Sequence, residues 1–168
     1  MEPRLDYAKS APEAMRAMAA LEQYNHTTGL EASLLELVKM RASQINGCAY
    51  CLDMHSKDAR AAGETEQRLY VLDAWSEAPF YTERERAALA WTEAVTLISE
   101  GGISDELFST VRAQFSEAEL VALTMAIVTI NGWNRLAISF RSREVGSYRP
   151  NATKANAEEY EATAQPAN

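Results

Sequence analysis

Two cysteines, a histidine and a glutamate stand at spacings that bring reactive side chains together on helices. Cys48 and Cys51 are three residues apart, and His55 follows four residues after Cys51. On a helix those offsets put all three side chains on one face, so an imidazole reaches a thiol without any long-range folding coincidence. Cys48 follows Asn46-Gly47, a helix-stopping pair, and is therefore expected in the first turn of the next helix. Unpaired backbone N–H groups and the helix dipole favour a thiolate there. A free thiol of pKa about 8.5 is only a few per cent ionised at neutral pH, and a fall of about two units makes it mostly thiolate. Glu36 lies 12 residues before Cys48, on the preceding helix. If the Asn-Gly turn folds the two helices back on each other, its carboxylate approaches His55, fixes the imidazole tautomer and raises its basicity. The three groups then form a carboxylate–imidazole–thiol relay.

The same residues admit plainer readings. The cysteines could be two small buried hydrophobes at helical spacing. Cys48, Cys51, His55 and Glu36 could together supply the four ligands of a zinc site. Glu36 sits three residues after Ser33 and could simply close a capping box. His26, the other histidine, belongs to the polar end of a helix, where a cation suits the dipole. Trp75, Trp91 and Trp133 read as core or interface aromatics, and Asn131, Asn134 and Arg135 as structural groups.

The elements that must hold these residues are helical throughout. The chain has 7 Gly and 5 Pro, and no segment alternates apolar and polar residues with the β-branched enrichment of strands. Ser/Thr-x-x-Glu patterns at Ser33–Glu36, Thr82–Glu85 and Ser116–Glu119 mark helix starts. The expected helices cover about 12–27, 33–46, 48–62, 65–75, 83–99, 105–114 and 117–143. The last is apolar around nearly its whole circumference, which requires either a central position or a second subunit to cover it. Residues 1–146 form one all-α domain, and 147–168 a polar tail that is mobile or an arm lying on a neighbour.

Sixteen Lys and Arg against 24 Asp and Glu give a net charge of −8 and a pI near 4.8. That balance speaks against nucleic acid or an anionic membrane surface as partner. The longest uncharged run, residues 120–134, has 15 residues and is short for a bilayer span of roughly 20. Residues 1–14 carry Glu2, Asp6 and Glu13 with no apolar run, unlike a secretory signal. A soluble, cytoplasmic protein is expected.

The pattern Glu-x11-Cys-x-x-Cys-x3-His, set within Glu36-Leu-Val-x4-Ser-x2-Asn-x-Cys48, resembles the core signature of the alkylhydroperoxidase D (AhpD) family in the carboxymuconolactone decarboxylase-like superfamily. The likeness is strong over residues 30–63, and Asn131-Gly-Trp-Asn-Arg135 is similar to a segment many relatives carry. The resemblance implies an AhpD-like helical fold assembled as a homo-oligomer, a trimer or hexamer. It also implies a dithiol peroxidase in which the cysteine pair cycles between dithiol and disulfide. By position, Cys51 matches the thiol that attacks a hydroperoxide, Cys48 its disulfide partner, and Glu36 and His55 the proton relay. No cofactor or metal is implied, and a separate thiol reductant is required. One departure concerns the residue before the second cysteine, where the founding member has a histidine and this chain has Tyr50. A phenol takes up no proton near neutral pH, so Tyr50 is limited to donating a hydrogen bond to a peroxide oxygen. Two other functions remain open from the residues themselves: thiol–disulfide exchange with a protein or small dithiol, and a non-catalytic metal-binding or assembly role.

Overall fold

The stretch Leu34-Leu-Glu-Leu-Val-Lys-Met40 is apolar on nearly every side, and a helix made from it can bury those side chains only if other helices surround it. The computed structural model, which describes residues 2–150, shows this arrangement. Helix α3 (Ala32–Asn46) packs against α4 (Ala49–Ala61), α6 (Glu83–Thr96) and α9 (Glu117–Phe140). Helix α2 (Pro12–Thr27) lies on α9, and α8 (Asp105–Arg112) closes the side of α6. Short helices α1 (Tyr7–Ser10), α5 (Glu66–Tyr70) and α7 (Ile98–Gly101) and a 3₁₀ turn (Leu72–Ala74) complete the set, with no strand among the described residues.

Two apolar clusters share α3. One joins Leu34, Val38, Trp91, Phe115, Leu123 and Ile127 on the α6–α9 side. The other joins Leu37, Met40, Ala59, Leu72 and Leu89 beneath α4 and the 3₁₀ turn. The central helix is therefore α3, so of the two positions open to the last helix the central one is not the one it takes. Helix α9 buries Leu120, Leu123, Ile127 and Ile130 but leaves Val121 (59%), Val128 (46%) and Ile138 (43%) exposed. It is long and apolar enough to cross a membrane by length and composition, yet it packs as a core helix against α2, α3 and α6.

Element boundaries depart from expectation where a helix breaks into pieces. The segment expected as one helix over 65–75 is α5 followed by the 3₁₀ turn, and the one over 83–99 ends at Thr96 before the single turn of α7. Of the three capping boxes, those at Thr82–Glu85 and Ser116–Glu119 are present. The one at Ser33–Glu36 is not: the N-cap is Glu31, Ser33 lies inside α3, and no side chain caps the helix. A buried imidazole and a buried ammonium hold the Glu36 carboxylate instead.

Glu119 gives a pH test of the fold. It accepts the Ser116 N–H at 2.8 Å and an Arg84 N–H at 2.7 Å, the first of which does most to hold its carboxyl down to about 2. A depressed folded pKa contributes stability above the ordinary value of 4.5 and loses it as pH falls through about 2. Glu119→Gln is expected to lower stability at pH 7 by roughly 0.5 kcal/mol after solvent screening. Urea unfolding followed from pH 7 to pH 2 should show the variant and the native chain converging.

Candidate active site

The site is built by the α3–α4 hairpin. Gly47 takes the left-handed conformation (φ 68°, ψ 33°) that ends α3, which glycine adopts without the Cβ strain of other residues. Its N–H donates to Gln44 O at 3.1 Å, and the Cys48 N–H to Ser43 O at 3.0 Å. Cys48 is then itself the N-cap of α4, one position earlier than expected. No loop separates the helices, so α4 turns straight back along α3. Cys51 is the third residue of α4, and both cysteines keep the positive end of the helix dipole.

The turn is pinned from α9. Asn46 Nδ2 donates to Asn131 Oδ1 and Asn134 Oδ1, both at 2.9 Å, and Asn134 Nδ2 donates to Ser43 Oγ at 3.1 Å. Asn131 also reaches Thr96 Oγ1 of α6 at 3.0 Å. Asn131 and Asn134 are structural, as read, and Arg135 braces Asn131 through its backbone and side-chain oxygens. Trp91 is buried, and Trp75 and Trp91 donate to Glu93 and Thr124. None of the three tryptophans is an idle core group: the third, Trp133, donates to Glu22 Oε2 at 3.3 Å.

Cys48 and Cys51 are joined as a disulfide, with Cα atoms 5.4 Å apart, and both are almost fully buried at 1% and 2% exposure. His55, one turn beyond Cys51, is buried as well. Its Nδ1 lies 2.9 Å from Glu36 Oε2. Beside an ionised carboxylate Nδ1 is the donor, which leaves Nε2 with its lone pair. The Glu36–His55 pairing expected from the hairpin is therefore present.

Two residues not singled out in the sequence complete the cluster. Lys39, 4% exposed, donates to Glu36 Oε1 at 3.4 Å and to Glu22 Oε1 of α2 at 2.9 Å. Burial alone would raise the two carboxyls and lower the ammonium, but the mutual charges and hydrogen bonds outweigh it. Glu36, held by His55 and Lys39, and Glu22, held mainly by Lys39, lie below the usual carboxylate range, and Lys39 above its own. All three are charged at neutral pH. The sequence carried one signal for Lys39, a lone cation in an apolar run; Glu22 had none, because 17 residues and a turn separate it from Lys39. His26 is exposed, 3.8 Å from Glu22.

Tyr50 is on α4 but one residue, about 100° of helix, away from Cys51. It is half-buried, and that burial raises its hydroxyl pKa, so it stays protonated; Arg143, Tyr7, Asp53 and Asp58 are its charged or polar surroundings. The chain after α9 runs along this side of α4: Gly146 N–H donates to Asp53 at 3.1 Å, and the Tyr148 hydroxyl to Asp58 at 2.6 Å. The start of the polar tail thus lies on its own α4; residues 151–168 lie outside the described part.

As a cation site the cluster is poorly suited. Glu36, His55 and Asp58 offer ligand atoms within 4.8 Å of one another. The Lys39 ammonium already stands between Glu22 and Glu36, however, and would repel a dication there. The four-ligand zinc set also lacks its two thiolates while Cys48 and Cys51 are bonded.

Comparison with known proteins matches this architecture. The family model for the carboxymuconolactone decarboxylase family covers residues 12–94, which span α2 to α6 and hold Glu36, both cysteines and His55. The uncharacterised protein YdfG of Bacillus subtilis (strain 168) is 45% identical over 143 residues, 85% of this chain and 97% of that protein. A crystal structure from Agrobacterium tumefaciens, of a protein of unknown function titled a putative antioxidant defence protein AhpD, is 50% identical. It superposes with a TM-score of 0.82 over 85% of this chain and 98% of its own. The debrominase Bmp8, 21% identical with a TM-score of 0.73 over 90% of this chain and 79% of its own, shares the fold. The chain belongs to the carboxymuconolactone decarboxylase family, among its AhpD-like members.

Proposed function

We propose that the protein is a dithiol peroxidase that reduces hydroperoxides through Cys48 and Cys51. The observation that carries this reading is the 2.9 Å Glu36–His55 contact, held one helical turn from Cys51 at the N-terminus of α4. In the reduced enzyme His55 Nε2 takes the Cys51 proton, and the thiolate attacks the terminal oxygen of the hydroperoxide. The O–O bond breaks, the imidazolium returns the proton to the leaving alkoxide, and Cys51 becomes a sulfenic acid. Cys48 then attacks that sulfur, a disulfide forms and water leaves. The substrate gains two electrons and the dithiol loses two. Tyr50, protonated and to one side, has at most a hydrogen bond to offer the oxygen that departs.

Burial of both sulfurs favours a small hydroperoxide over a folded protein as the oxidant. A separate thiol reductant, in the reducing cytoplasm, reopens the disulfide. The test is steady-state turnover of cumene hydroperoxide with dithiothreitol. One cumyl alcohol released per dithiol oxidised supports the reading; no alcohol release above the enzyme-free rate, while the enzyme catalyses dithiol oxidation by an added small disulfide, overturns it in favour of thiol exchange.

The exposed Val121, Val128 and Ile138 on α9 support a second part of the proposal, a homo-oligomer, trimer or hexamer, that covers these side chains. Val128→Asp is expected to shift the protein to monomers at micromolar concentration in light scattering. A native chain already monomeric there would contradict the assembly.

A further inference from the structure

The relay pair is not alone in its pocket. Glu22, Lys39, Glu36 and His55 form one continuous chain of contacts at 2.9, 3.4 and 2.9 Å, running from α2 through α3 to α4. Lys39 is too deeply buried, and Glu36 and Glu22 too well paired with it, for solvent to supply or remove charge cheaply. The charges can be counted. Two carboxylates and one ammonium give −1, and an imidazolium at His55 brings the cluster to zero. Without Lys39 the imidazole would face two uncompensated carboxylates. Without Glu22 it would face a carboxylate whose charge Lys39 already cancels.

From this count we infer that Lys39 and Glu22 are positioning residues that set the proton affinity of His55: Lys39 lowers it and fixes the Glu36 carboxylate, and Glu22 restores part of what Lys39 takes away. The inference rests on the relay reading of His55 given above and assigns the ammonium and the second carboxylate a purpose in it. A salt bridge retained for packing alone would need no such balance, since Met at position 39 and Gln at position 22 have comparable bulk. Among the described residues, the other ionisable groups near the cluster are His26 on α2, 3.8 Å from Glu22, and the cysteines and Asp58 on α4. Asp58 is turned to the Tyr148 hydroxyl. From α9 the contact is Trp133, which does not titrate but fixes the second oxygen of Glu22.

The chain has two histidines, so the imidazole of His55 can be followed directly by NMR in the reduced protein labelled at histidine Cε1, with His26→Gln assigning the signals. Lys39→Met is expected to raise the His55 titration midpoint and Glu22→Gln to lower it, each by about one pH unit. The double variant Glu22→Gln/Lys39→Met, which returns the cluster to −1, should bring it back to the native position. The acid limb of cumene hydroperoxide-driven thiol oxidation should move with it in the same directions. Glu22→Gln keeps the Lys39–Glu36 pair and serves if Lys39→Met fails to fold. Midpoints that coincide with the native one, or that shift with the same sign in both single variants, overturn the inference. Failure of the relay reading itself is separable: there His55→Asn would leave the thiol oxidation rate unchanged whatever Lys39 and Glu22 do to the imidazole.

Discussion

Cys51→Ser is expected to abolish the proposed hydroperoxide reduction, with a loss of at least about 1,000-fold in the rate of alcohol release, because a serine hydroxyl beside His55 cannot displace the alkoxide. The fold should survive the change, since Ser and Cys differ little in size and Cys51, although buried, belongs to neither of the two apolar clusters on α3. Cys48→Ser behaves differently. The first step would keep its thiolate and its relay, so one equivalent of alcohol should be released and the reaction should halt at a Cys51 sulfenic acid that has no partner. A sulfenic-acid trap such as dimedone should add to Cys48→Ser after peroxide and not to Cys51→Ser. The reverse pattern would interchange the two sulfurs.

Removing the base has the second largest effect. His55→Asn should slow peroxide-driven thiol oxidation by about 100-fold at neutral pH, the usual worth of a positioned general acid–base group. The loss should shrink at alkaline pH, where the thiol ionises without help. Glu36→Gln should cost less, because His55 remains and an amide oxygen can still accept from Nδ1, but it removes the carboxylate charge beside the imidazole and leaves Lys39 only Glu22 as an ion-pair partner. Its signature is a lowered pH midpoint for the acid limb, since the imidazolium loses its counter-charge. Stopped-flow loss of free thiols across pH 5–9 separates these results. A His55→Asn enzyme as fast as the native one at pH 7 would remove the imidazole from the mechanism.

Much of the site was readable because its parts are local. Cys48, Cys51 and His55 lie within eight residues on one helix, so their juxtaposition follows from helical periodicity, and Asn46-Gly47 announces the turn that brings Glu36 back to them. The cap at Ser33 misled for a physical reason. A Ser-x-x-Glu pattern describes what a glutamate does when nothing better is near, and here a buried imidazole and ammonium are better partners than a backbone N–H. Lys39 and Glu22 escaped because ion pairs across helices leave no periodic trace. A lysine three residues from a glutamate ordinarily reads as a solvated pair.

The fold followed a similar division. Helix α2 begins and ends where Pro12 and the polar segment at Thr27 indicated, and α9 starts at its capping box. What could not be read was rank. Leu120–Ile130 is the more hydrophobic stretch, yet α3 became the hub, because burial depends on how many neighbours a helix meets rather than on its own composition. The exposed Val121, Val128 and Ile138 are what that difference leaves uncovered, and the proposed assembly would explain them.

The most direct test mixes fully reduced protein with a slight excess of cumene hydroperoxide and follows free thiols and intact mass together. The account predicts rapid loss of both thiols, a mass change of about −2 Da and one equivalent of cumyl alcohol. Thiols that persist under peroxide while the same disulfide forms readily from an oxidised dithiol would contradict it.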